Sequence, residues 1–168
     1  MNLQRLWTPW RAAYVTGEES VEPSSICFLC EGPRSGSDEE ALILARGESA
    51  YVVLNKYPYN TGHVMVAPFE HGGDLESLHD VTNRELWSLT QTVLHALTDE
   101  YRPEGFNVGM NVGLSAGAGV PDHLHMHVVP RWAGDTNYMP ITAGTKVLPE
   151  TLEQTYARLH PRLSGATD

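Results

Sequence analysis

Three histidines recur at alternate positions in His123-Leu124-His125-Met126-His127. In a β-strand, side chains alternate between faces, so the three imidazoles project together while Leu124, Met126 and Val128 point to a core. Three aligned imidazoles give up hydrophobic burial and gain nothing for folding. The pattern therefore points to chemistry rather than to a solvated sheet face. Two chemistries use such a row. Alternate histidines can ligate zinc, including a zinc that activates a bound hydroxide. Alternatively, one imidazole is a nucleophile and its neighbours assist it, because an ordinary pKa of about 6.5 leaves much of it neutral near pH 7. The preceding stretch from Gly113 to Gly119 (GLSAGAG) is glycine-rich. Such a loop can turn backbone N–H groups toward an anion such as phosphate.

The chain's two cysteines form a second candidate, Cys27-x-x-Cys30. Two cysteines in 168 residues do not make a disulfide scaffold. The open readings are a metal clip, a redox pair or coincidence. A thioredoxin-like redox motif is disfavoured, because no βαβ pattern surrounds it.

The elements that must position these residues follow from periodicity. Residues 51–56 (YVVLNK) and 63–67 (HVMVA) read as strands joined by the turn Pro58–Gly62, an antiparallel hairpin. Residues 82–101 read as a helix: Thr82-x-x-Glu85 suggests a capping box, and Leu86, Leu89, Val93, Leu97 and Tyr101 share a face. Pro103 and Gly105 end it. Residues 106–112 and 123–130 read as two more strands, and a last helix is expected near 149–160. Trp7, Pro9, Trp10 and Tyr14 suggest an N-terminal segment that packs by aromatic contacts. Hairpin, long helix and two further strands, without βα alternation, predict an α+β fold: an antiparallel sheet with a helix on one face. The chain is read as a single domain, with an N-terminal segment over 1–50, a catalytic core over 51–140 and a helical tail over 141–168.

A net charge of −10 argues against a nucleic-acid partner, which needs a basic surface, yet permits a small phosphorylated ligand. No apolar run suits a membrane span, and the first ten residues lack the apolar stretch of a signal peptide, so a cytoplasmic protein is expected. Lys56 and Arg131 are read as solvated surface charges.

The run His123-Leu-His125-Met-His127-Val-Val129 resembles the motif of the histidine triad (HIT) family. Cys27-Phe-Leu-Cys30, Leu54-Asn55-Lys56, Gly62-His63-Val64, Asn111-Val-Gly113 and Pro130-Arg131 follow in that family's order. The stretch 106–140 and the opening Leu6–Arg11 are similar to a bacterial branch containing diadenosine tetraphosphate phosphorylases and hydrolases.

The resemblance implies a sheet of about five strands with a long helix, in a homodimer or higher homo-oligomer. It implies cleavage of a dinucleoside polyphosphate at an α-phosphate. His125 attacks phosphorus and becomes nucleotidylated, and water or inorganic phosphate then accepts the nucleotide. His127 would contact phosphoryl oxygens and aid proton transfer to the leaving group. A backbone carbonyl would fix the tautomer of His125. Asn55 falls at the ribose-binding position, although a turn-forming Asn is its other reading. Asn111 matches a conformational or phosphate-contacting position, and Ser115, Gly117 and Gly119 would line the phosphates. Many relatives carry Gln and Ser or Thr where this chain has Gly119 and Val120. Its loop is also longer by one residue, so backbone N–H groups or Ser115 would replace those contacts.

Zinc-containing relatives imply a structural site at Cys27, Cys30, His71 and His123, with His79 and His95 left as loop and helix-surface residues. No organic cofactor is implied. Two alternatives stand beside this reading: hydrolysis of nucleoside phosphoramidates, and a non-catalytic nucleotide-binding or zinc-stabilised interaction module.

Overall fold

Alternating apolar residues build a five-stranded antiparallel sheet in the order β1-β2-β3-β5-β4. In this computed structural model the described residues are 27–135 and 148–165. The strands are β1 (Ile43–Arg46), β2 (Ala50–Leu54), β3 (Val64–Pro68), β4 (Gly105–Met110) and β5 (Met126–Arg131). Among the described residues three α-helices accompany them: α1 (Phe28–Glu31), α2 (Asp80–Tyr101) and α3 (Leu152–Leu163). The aromatic N-terminal segment and the opening Leu6–Arg11 lie outside the described residues.

The period of two divides the sheet's faces. Val52, Leu54, Val64, Val66, Met126 and Val128 point to one side, where Leu86, Leu89, Val93 and Leu97 of α2 meet them with Leu159 and Leu163 of α3. Each such buried side chain contributes roughly 1.5–3 kcal/mol of transfer free energy. Ile43, Tyr51, Val53, Met65 and Ala67 point to the other side, covered by Leu29 of α1. On that second face, His63 continues the odd-numbered row of β3, and His127 pairs with Met65 across the β3–β5 ladder.

Four features depart from the sequence reading. The sheet begins at Ile43, inside the stretch read as an N-terminal segment, because Ile43, Leu44 and Ala45 pair with β2 and are buried. Thr82 and Glu85 do not form a capping box. The helix starts at Asp80 after His79, which makes no side-chain cap. Glu85 instead accepts the N–H groups of Glu48 and Ser49 at 2.7 and 2.6 Å, and the Ser49 hydroxyl, tying the β1–β2 turn to α2. The capping box belongs to α3, between Thr151 and Gln154. Arg131 is not a free surface charge: it forms a bidentate ion pair with Asp135 at 2.6 and 2.9 Å and donates to Asn107.

The last departure concerns the histidines. β5 begins at Met126, so His123 and His125 precede the strand. The ladders on both sides stop at Met126, which pairs with Val66 and Met110. Beyond that point the chain is held by Leu124 N–H donating to Gly72 O at 2.8 Å. Leu124, Met126 and Val128 are buried as the alternation predicts.

Candidate active site and metal centre

The histidine row divides into two sites. His125 and His127 stay together, with ring centroids 4.9 Å apart and planes nearly perpendicular. His123 is fully buried and turns to the cysteines.

The hydrogen bonds fix the tautomer of each ring. A carbonyl only accepts, so the 2.8 Å contact of His125 Nδ1 with His123 O places the proton on Nδ1. The Nε2 lone pair of His125 is then free. His63 begins from the opposite end. Tyr59 N–H donates to His63 Nδ1 at 3.0 Å, so the ring proton of His63 lies on Nε2. His63 Nε2–H donates to His127 Nδ1 at 2.9 Å, which leaves the proton of His127 on its own Nε2. The neighbouring rings thus carry Nε2 atoms of opposite polarity: His125 offers a lone pair and His127 offers a hydrogen. Thr61 Oγ1 is the one fully buried side-chain polar atom without a partner among the described residues. The unpaired Nε2 atoms of both histidines are therefore open to an incoming group.

Burial holds both rings neutral. Desolvation depresses the pKa of His125 against its hydrogen bond to His123 O. The pKa of His127 is pushed down to about 4 by desolvation, then by the neighbouring His125. The Tyr59 ring covers the pair formed by His63 and His127, at 4.7 and 5.7 Å between centroids. On the far side His127 pairs with Gly109, where a side chain would meet nothing within 4 Å, so the approach stays clear.

In the sequence reading His63 opens a strand and falls in the family-ordered stretch Gly62-His63-Val64, but is given no role in the site. Its signal is its odd-numbered place in the hairpin, which puts it on the face of the triad. The Pro58–Gly62 turn is anchored from below. Asn60 Nδ2 donates to Pro130 O at 3.0 Å and to Asp135 at 2.9 Å, linking the turn to the end of β5.

Asn55 lies beside this relay, with Nδ2 3.4 Å from His63 Nε2. Its side-chain carbonyl accepts Tyr57 N–H at 2.8 Å, an Asx turn that still leaves one lone pair. The residues on either side of it in the chain, Leu54 and Lys56, line a cavity of about 140 Å³ with Phe28, Leu29, Tyr51 and Val53. Asn111 Nδ2 reaches Gly117 O at 3.5 Å, across the glycine loop. That loop turns at Gly113 and Gly117, both at positive φ that side chains rarely adopt. Ser115 and Gly119 are exposed on it, and none of Ser115, Gly117 and Gly119 hydrogen-bonds to His125 or His127.

The second site gathers Cys27, Cys30, His71 and His123, whose ligand atoms lie within 4.8 Å of one another. His123 Nδ1 is 3.4 Å from both sulfurs, and His71 Nδ1 is 3.4 Å from Cys30 Sγ. The opposite ring nitrogen, His123 Nε2, donates to Pro68 O at 2.8 Å. That bond aims Nδ1 at the cysteines, the outer-shell arrangement that metal-ligating histidines use. Two sulfurs and two imidazoles can hold a metal ion. Gly73 is required nearby, since a Cβ there would lie 2.4 Å from Pro121 O. The close approach of the two loops brings His71 to His123. His79 and His95 are exposed and stand apart from this cluster.

A histidine pair with opposed polarity at the end of an antiparallel sheet, beside a glycine loop, defines a histidine triad protein. The family model described as "HIT domain" matches residues 37–134, and the chain belongs to that family. It is 46% identical over 158 residues to a protein of Mycobacterium tuberculosis named AP-4-A phosphorylase, covering 91% of this chain and 80% of that protein. A hypothetical histidine triad nucleotide-binding protein from Sulfolobus tokodaii has the same fold, with a TM-score of 0.66 and 24% identity over 81% of this chain and 91% of that one. A Zn-bound histidine triad family protein from Mycobacterium smegmatis aligns with a TM-score of 0.64 and 22% identity, covering 82% and 92%. Among the described residues no helix is long and apolar enough to cross a membrane.

Proposed function

We propose that this protein cleaves dinucleoside polyphosphates such as diadenosine tetraphosphate at an α-phosphate, with His125 as the nucleophile. The opposed polarity of the two Nε2 atoms carries the reading. The lone pair of His125 Nε2 attacks the α-phosphorus, an N–P bond forms, and the bond to the bridging oxygen breaks. His127 Nε2–H hydrogen-bonds that oxygen as charge builds on it. With a pKa of about 4, His127 acts as a neutral donor and stabilises the departing polyphosphate without giving up a proton. His63 holds it in that tautomer. A second acceptor then attacks the nucleotidyl-histidine and regenerates His125.

The cavity lined by Leu54 and Lys56, the chain neighbours of Asn55, suits a nucleobase, with the remaining lone pair of Asn55 accepting from the ribose. Asn111 shapes the glycine loop so that its N–H groups, with Ser115, Gly117 and Gly119, face the phosphates.

Water as acceptor gives AMP and ATP from diadenosine tetraphosphate, whereas phosphate gives ADP and ATP. The name of the mycobacterial relative favours phosphate. Incubation with and without inorganic phosphate tests this. Phosphate-dependent ADP is the expected product, and AMP alone at every phosphate concentration overturns the phosphorylase reading.

The four-ligand cluster is assigned to structural zinc. Its two thiolates and two imidazoles form a closed set with no place for substrate. Bound zinc would contribute to folding by joining the start of α1 to the loops before β5. For the quaternary structure we assign a homodimer through β4. This edge strand carries exposed Val108, with exposed Val112 and Leu114 beyond its end. Sedimentation equilibrium at twice the chain mass supports that assignment, and a monomer at micromolar concentration contradicts it.

A further inference from the structure

His123 faces two ways. Its ring meets Cys27 and Cys30, each at 3.4 Å, while its backbone carbonyl accepts His125 Nδ1–H at 2.8 Å. The next residue, Leu124, is tied to Gly72 O beside His71. The thiol cluster and the tautomer lock of His125 therefore share one short stretch of backbone. We propose that Cys27 and Cys30 form a peroxide-sensitive thiol pair whose oxidation to a disulfide frees His123 and switches off His125. This rests on the reading of His125 as the nucleophile.

The geometry suits the bond. Cys27 immediately precedes α1 and Cys30 lies in its single turn, so the two are neighbours three residues apart on one helical face. Their sulfurs lie within 4.8 Å of each other, and both residues are half-buried, with part of their surface reachable from solvent. One thiolate attacks a peroxide oxygen, breaking the O–O bond to give a sulfenic acid and hydroxide. The second thiolate attacks that sulfur, forming the S–S bond and expelling a second hydroxide. Two electrons pass from the sulfurs to the peroxide, and two protons convert both hydroxides to water.

The consequence follows from ligand chemistry. Metals bind thiolates, and a disulfide offers none. A metal held by this cluster loses two of its four donors. The His123 ring keeps one anchor, Pro68 O. The peptide that carries the His123 carbonyl stays tethered by Leu124 N–H to Gly72 O, so the carbonyl is displaced rather than freed, and the acceptor of His125 Nδ1–H shifts with it. Loss of the partner that orients a metal-ligating imidazole typically costs on the order of tenfold to a hundredfold, and a loss of that size is expected when the acceptor of His125 shifts.

The test uses the zinc-loaded full chain, treated with hydrogen peroxide. Peptide mass reports the Cys27–Cys30 bond, a chromogenic chelator reports released zinc, and the ¹⁵N resonance of His125 Nδ1 reports the tautomer lock. Single-turnover nucleotidylation by diadenosine tetraphosphate reports the nucleophile. The expected result is an intramolecular disulfide, zinc release, a shifted Nδ1 resonance and nucleotidylation slowed on the order of tenfold to a hundredfold. Thiol and zinc together reverse all four. A complete disulfide with an unchanged resonance and rate overturns the proposal, as does peroxide treatment that leaves both thiols free. A Cys27→Ser, Cys30→Ser double variant is expected to lose peroxide sensitivity. If it does not fold, the resonance of the oxidised wild type decides alone. If the reduced chain never becomes nucleotidylated, the reading of His125 fails, while the resonance still tests the coupling.

Discussion

His63 Nε2 donates to His127 Nδ1 across 2.9 Å, and this bond decides which nitrogen of His127 faces the reacting group. Without it the proton of His127 is free to occupy either nitrogen, and half of the opposed pair is lost. His63→Ala is expected to lower kcat on diadenosine tetraphosphate on the order of tenfold to a hundredfold, with a smaller change in KM. The loss should shrink for a p-nitrophenyl nucleotide ester, whose leaving group needs little hydrogen bonding. Steady-state kinetics on both substrates check this, and equal losses on the two would argue against a role through the leaving group.

The depressed pKa of His127 has a consequence for stability. In the unfolded chain this histidine takes a proton near pH 6.5, whereas in the folded chain it resists until about pH 4. Between those values the unfolded state binds more protons, so stability rises with pH and falls on acidification. The contribution is at most about 3 kcal/mol, complete above the upper limit and lost progressively toward the lower one. Urea denaturation at several pH values should therefore show a shallower acid loss for His127→Asn than for wild type.

Glu85 predicts a purely structural effect. Burial alone would push its carboxyl pKa up, but hydrogen bonds from the Ser49 hydroxyl and the Glu48 and Ser49 N–H groups outweigh burial and lower it. Glu85→Ala leaves those donors without an acceptor and should cost about 1–3 kcal/mol in chemical denaturation. Gly47→Ala meets the same carboxylate, since its Cβ would fall 2.2 Å from Oε1, and should also destabilise. Both variants, once folded, should keep the wild-type kcat.

The interior of the fold is legible in the sequence because it is periodic. The apolar row of α2 and the alternation of β2, β3 and β5 each announce the face they bury. The triad is legible for the same reason. What escaped depends on contacts between distant segments. β1 is a short apolar run beside a polar loop, and only pairing with β2 identifies it. Glu85 has the spacing of a cap, but its partners stand 36 and 37 residues away. His63 looks like any strand-opening residue until the sheet places it 64 positions from its partner His127. The separation of His123 from its two neighbours is not in the periodicity, since period two alone puts all three on one face; the family resemblance implied it, and the fold brings His123 to Cys27, Cys30 and His71.

Zinc removal tests the second centre. Metal analysis should find zinc in the purified protein and none in Cys27→Ser. Chelation should lower Tm by several degrees, as expected for the loss of a site that contributes a few kcal/mol. Absence of stoichiometric metal in the wild type would contradict the assignment.

His125 is the residue expected to carry the nucleotide. Acid-free quenching after mixing with diadenosine tetraphosphate, followed by peptide mass spectrometry, locates the adduct directly. An adenylyl group is expected on His125, with no adduct in His125→Ala, whose turnover should fall at least about a thousandfold. An adduct on His127 or His63, or undiminished turnover in His125→Ala, would contradict it.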